Sequence, residues 1–123
     1  MTDVSYPVKL ISGVPVVAAP AEIDVTTAEQ LRAVLLQVAG DGHPTVVVDM
    51  TRTRFCDSAG LNVLARAHRR ALEEGGELRL VMPVGGPVDR IFTLTSLYYF
   101  IPRFGSLPEA LLEGPATTVG AHA

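Results

Sequence analysis

The order of apolar runs along the chain predicts an α/β fold, a small mixed β-sheet of about five strands with about four flanking helices. Two observations predict it. Short β-branched runs alternate with segments whose apolar residues recur at helical spacing, the pattern of parallel strands joined by crossover helices. The exception is the start of the chain, where two such runs are separated by only Ser12-Gly13, a hairpin signal that adds one antiparallel pair. With 123 residues and 48% hydrophobic composition, the chain has the size and balance of one domain with one core.

Val8 to Ile11 and Val14 to Ala19 are the hairpin strands. After Glu22-Ile23-Asp24-Val25, Thr26 and Thr27 precede Glu29 and Gln30 by three residues each, so either threonine is placed to close a capping box. Leu31, Val34, Leu35 and Val38 continue as a helical stripe that Gly40-Asp41-Gly42 ends. Thr45 to Met50, with Val46-Val47-Val48 inside it, reads as a strand buried on both faces. Thr51 to Asp57 is a connection, polar except for Phe55 and Cys56.

A second helix starts at Ser58. Leu61, Leu64, Ala65, His68 and Leu72 form its apolar stripe, Arg66, Arg69, Arg70 and Glu73 lie off it, and Gly75-Gly76 stops it. Glu77 to Met82 is a strand, Val88 to Leu94 a short third helix, and Tyr98 to Ile101 an aromatic strand stopped by Pro102. Ser106-Leu107-Pro108-Glu109 carries a capping pattern for a last helix reaching Leu112. Residues 1–113 are expected to form the single domain, and 114–123, small and unpatterned, a flexible C-terminal tail.

Composition narrows the function. Cys56 is the only cysteine, so neither an internal disulfide nor a multi-cysteine metal site is available, which fits a reducing compartment. No apolar run approaches the roughly 18 residues of a membrane helix. The N-terminus has no basic-then-apolar leader, so the expected location is the cytoplasm, with no membrane contact. A net charge of −3 argues against direct nucleic-acid binding through the overall field, although five arginines cluster between Arg52 and Arg70. If that face is functional, an acidic protein surface suits it better than DNA.

The chemistry concentrates in Phe55-Cys56-Asp57-Ser58-Ala59-Gly60-Leu61, which sets an aspartate and a serine at a helix start after a buried strand. Two readings are open there. Asp57 or Ser58 caps the helix, contributing about 1 kcal/mol. Alternatively Ser58 is a modification site whose phosphate the helix N-terminus tolerates. Enzyme readings fit poorly. A hydrolase elbow needs a glycine where Cys56 stands, and His122, the last histidine, lies in the expected tail. A cysteine-dependent phosphatase needs an arginine where Asn62 stands, and a phosphate-binding loop needs a lysine, whereas Lys9 is the sole one. His68 has no second ligand at helical spacing and reads as a core-edge residue. Tyr98, Tyr99 and Phe100 read as packing residues rather than base-stacking ones. Cys56 is either a buried thiol or, through a lowered pKa at the helix start, a candidate redox site.

Phe55 to Leu61 closely resembles the signature of the STAS domain of bacterial anti-sigma factor antagonists. Glu22-Ile23-Asp24, Gly75-Gly76-Glu77-Leu78 and Pro87 to Phe92 with Leu97 resemble further landmarks of that family, in the same order, so the resemblance covers most of the chain. It implies a STAS-like fold and a protein partner instead of a substrate: no enzyme activity, no cofactor and no metal in this chain, which is a monomer when free. By the same resemblance, the unphosphorylated form is expected to bind an anti-sigma factor that is also a serine kinase and so to release a sigma factor, with phosphorylation at Ser58 switching binding off and a phosphatase for Ser58 resetting it. The resemblance implies partner-binding residues Glu22, Asp24, Asp57, Ser58, Ala59, Gly60 and Asn62. Ala21 departs from the family's glycine before the acidic pair, leaving that loop's path open. The alternatives are a STAS scaffold or accessory subunit of a signalling or lipid-transport complex, never phosphorylated, and third a small serine hydrolase.

Overall fold

The computed structural model describes residues 6–95 and 101–112. Its main sheet has five strands, β1 (Val8–Ile11), β2 (Val14–Ala18), β4 (Val46–Asp49), β6 (Leu78–Val81) and β7 (Arg103–Phe104), ordered β1-β2-β4-β6-β7. Only β1 and β2 pair antiparallel; the rest are parallel. Ser12 (φ 54°) and Gly13 (φ 82°) make the hairpin turn, both left-handed as the twist of two-residue hairpins demands. A second, two-residue parallel ladder pairs β3 (Glu22–Ile23) with β5 (Phe55–Cys56). The helices are α1 (Val25–Gly40), α2 (Ser58–Glu73), α3 (Pro87–Thr93) and α4 (Leu107–Leu111).

Alternation along the strands divides the core in two. Val17, Val46, Val48, Leu78 and Leu80 face α1, α2 and α3, with Leu31, Leu64 and Phe92 fully buried against them. Val16, Val47 and Val81 face the other way, onto α4 through Ala110. β4 is buried on both faces, as its apolar run predicts.

Several expectations are revised. The cap of α1 is Asp24, not Thr26 or Thr27. Its carboxylate accepts from the Thr26 and Thr27 amides at 3.0 Å, and Thr27 Oγ1 accepts from the Asp24 amide at 2.8 Å. Thr27 thus supplies the box's return bond in place of the expected acidic or amide side chain, because the helix starts directly from β3. Gln30 Oε1 instead accepts from the Tyr6 hydroxyl, and Glu29 pairs with Arg32. Leu72 is 56% exposed, since α2 has run past the sheet at its last turn. His68 lies inside the core, not at its edge, with Nδ1 accepting from the Leu78 amide at 3.1 Å. Tyr98, Tyr99 and Phe100 lie outside the described residues, and the last described strand, β7, follows Pro102 instead of ending before it. Proline fits just before an edge strand because its carbonyl still accepts, here from the Leu80 amide at 2.9 Å.

Candidate functional site

The β3–β5 ladder brings together two segments separated by more than thirty residues of chain. Ile23 pairs with Cys56, and both side chains are buried; Glu22 pairs with Phe55, and both are exposed. One residue beyond the ladder on each strand stands a capping aspartate, Asp24 for α1 and Asp57 for α2, and one further stand Val25 and Ser58. Both long helices therefore begin side by side from one small platform. Backbone bonds lock it, the Asp57 amide to the Ile23 carbonyl at 3.0 Å and the Arg54 amide to the Ala21 carbonyl at 2.7 Å. The Thr53 hydroxyl adds a bond to the Pro20 carbonyl at 2.8 Å. Ala21 keeps a negative φ, so the loop needs no glycine there.

The capping question resolves at Asp57. Its Oδ1 accepts from the Gly60 amide at 3.1 Å, which makes Asp57 the N-cap and Ser58 the first helical residue. The Ser58 hydroxyl is exposed and makes no hydrogen bond among the described residues. It stands at the positive end of a 16-residue helix, where first-turn amides lack intrahelical partners. Asp24, exposed beside it, has its carboxyl pKa held below the usual value by the bonds from Thr27 and Thr26, so it stays ionised. Glu22 lies 3.8 Å from Arg54, an exposed pair of small energetic weight.

The residues implied by the resemblance do not all have the same standing. Glu22, Asp24, Ser58 and Asn62 are exposed, while Asp57 and Ala59 are half-buried. Gly60 is buried, and a Cβ there would lie 2.6 Å from Cys56 Sγ and from Ile23 Cγ2. Its part is to let α2 sit directly on the ladder. Of the two readings of Cys56, the structure favours the buried thiol. Its thiol is 2% exposed, and burial, aided by the neighbouring Asp57 charge, pushes its pKa up to about 12, not down. That environment suppresses the thiolate a redox site needs.

Sequence reading did not single out two apolar residues at this end, Val25, 71% exposed, and Phe55, 48% exposed. The signal was present at Phe55-Cys56, where strand alternation sends Phe55 outward if Cys56 points in. Among the described residues there is no cluster of potential metal ligands and no helix long and apolar enough to cross a membrane.

Comparison with known proteins places these features. The model of the STAS domain matches residues 5–110. The chain is 28% identical over 104 residues to an anti-sigma F factor antagonist of Paenibacillus polymyxa, covering 82% of this chain and 86% of that one. The crystal structure of an anti-sigma factor antagonist from Mycobacterium paratuberculosis is 32% identical and superposes with a TM-score of 0.78, covering 87% and 90% of the two chains. The Bacillus cell fate determinant SpoIIAA, solved in its phosphorylated form, shares the fold at 20% identity, with a TM-score of 0.66 and 87% and 96% coverage.

Proposed function

Because this chain belongs to the STAS domain family, we propose that it is an anti-sigma factor antagonist whose partner binding is switched off by phosphorylation at Ser58. In the unphosphorylated state it binds an anti-sigma factor that is also a serine kinase, and the sigma factor is released. The nucleotide and the catalytic groups reside in that partner; this chain contributes the acceptor hydroxyl and no enzyme activity. A phosphatase acting on Ser58 reverses the switch. The reading treats residues 1–113 as one domain, 114–123 as a tail outside it, and the protein as a cytoplasmic monomer when free.

The observation that carries this reading is the division of labour at the start of α2, where Asp57 takes the cap and leaves the Ser58 hydroxyl exposed and unbonded. A phosphate can be added there without removing a structural hydrogen bond. It would bring about 1.5 to 2 negative charges to a surface already carrying Glu22, Asp24 and Asp57. Against a partner surface that is apolar or acidic where it meets Ser58, beside the exposed Val25 and Phe55, that charge is either repelled or stripped of water without compensation. The same helix N-terminus offsets part of the new charge within this chain, so the fold survives modification.

The test is a binding assay with the anti-sigma factor. Ser58→Ala is expected to bind as the native protein does and to take up no phosphate, and Ser58→Asp to bind at least about tenfold more weakly, through the same charge effect at partial strength. Equal binding by Ser58→Asp and the native protein would sink the charge mechanism.

A further inference from the structure

A second surface runs from Asn62, near the start of α2, along the two long helices. The C-terminal half of α1, the loop after it and the outer face of α2 enclose an open groove of about 850 Å³. Its apolar lining sets the small side chains of Ala39 from α1 and of Ala67 and Ala71 from α2 beside Leu36 and Pro44, with the buried Leu35 and Val63. Its walls are cationic, with Arg32 on α1 and Arg66, Arg69 and Arg70 on α2. Helical spacing explains the last three, because residues three and four apart share a face.

The charge here runs against that of the whole chain, which is −3. Arg32 is paired with Glu29, but Arg66, Arg69 and Arg70 have no carboxylate within ion-pair distance among the described residues. Glu73 and Glu74, at the end of α2, are the acids on the lining, so even with Arg32 neutralised by Glu29 three guanidiniums outweigh two carboxylates. Small side chains in the lining allow a helix to approach closely, and guanidiniums on the walls match carboxylates in a forked geometry. Nucleic acid would meet an apolar lining and the negative field of the whole chain.

We propose that the α1–α2 groove docks an acidic amphipathic helix of a partner protein, its apolar stripe on the apolar lining and its carboxylates on Arg66, Arg69 and Arg70. This site meets the Ser58 surface only at Asn62, which lines the groove, and stands without the phosphorylation reading. The probe is a synthetic helical peptide of about 14 residues with leucine at i, i+3 and i+4 spacing and glutamate on either side. A second peptide carries lysine for every glutamate. Anisotropy titrations of the full chain are expected to show binding of the glutamate peptide only, weakened at least about fivefold by R66E/R69E and by raising NaCl from about 50 mM to about 500 mM. Ala71→Leu, which fills the groove and leaves the charges, weakens binding too. Circular dichroism melting checks each variant, and R66Q/R69Q replaces the charge reversal if that variant fails to fold. No binding of the glutamate peptide, equal binding of the lysine peptide, indifference to the arginine substitutions, or tighter binding of a short DNA duplex would each overturn the proposal.

Discussion

Cys56 lies two residues from the proposed phosphoacceptor, yet its side chain points the opposite way from Phe55, into the core beneath Gly60. Residue order alone left two readings of this thiol, because the helix dipole lowers a pKa and burial raises it. Burial prevails here. Its folded pKa of about 12 stands above the 9.0 of an ordinary thiol, so the unfolded state loses the proton first. Its contribution to stability is therefore intact below pH 9.0 and is lost as the pH rises toward about 12. A thiol-reactive chromophore is expected to label the native protein at pH 8 far more slowly than the denatured chain. Equal rates in the two states would contradict the burial account. At Ser58 the sequence reached the right residue but could not assign the cap, since aspartate and serine are both preferred there. Only the bond from the Gly60 amide to Asp57 separates them.

At the scale of elements, α1, α2 and the strands β1, β2, β4 and β6 were legible because each carries a period or a continuous apolar run. The two-residue β3–β5 ladder was not, since two residues cannot display a period, and it is the element that gathers the site. The acidic Glu22-Asp24 segment and the Asp57-Ser58 segment were each visible, but their adjacency is a product of long-range pairing. Gly60 is the hinge of that packing. Gly60→Ala sets a methyl 2.6 Å from Cys56 Sγ and Ile23 Cγ2, which forces these buried side chains or α2 itself to shift in a closely packed site. A loss of about 1 to 3 kcal/mol is expected in denaturant unfolding. A change below about 0.5 kcal/mol would show that the helix does not rest on the ladder as described.

Across the whole molecule, the long helices cover one sheet face and the five-residue α4 the other, so the second core depends on how α4 is tied down. Arg79 on β6 does this. Its guanidinium pairs with Glu77 at 2.6 Å and donates to the Ala110 carbonyl at 2.8 Å and the Leu112 carbonyl at 3.3 Å, in a setting where both side chains are one-tenth exposed. Arg79→Ala is expected to cost about 3 to 5 kcal/mol, because it removes one member of a buried ion pair along with the anchor of α4. A loss under about 1 kcal/mol would mean that the second core holds without the anchor. The order of residues places Glu77 in the strand Glu77 to Met82 but does not show this link, since nothing in it joins β6 to the carbonyls of a helix about thirty residues on. The same global view separates acids at the start of α1 and α2 from arginines along the groove between them, a polarity hidden by a net charge of −3.

In the proposed switch, one exposed hydroxyl at the start of α2 controls partner binding. Incubating the native protein with its anti-sigma factor and ATP, then mapping the product by mass spectrometry and measuring its affinity for the same partner, tests this most directly. One phosphate on Ser58 and a loss of binding are expected, with the fold unchanged by circular dichroism. A phosphate on another residue, or phosphorylated Ser58 with binding intact, would contradict it.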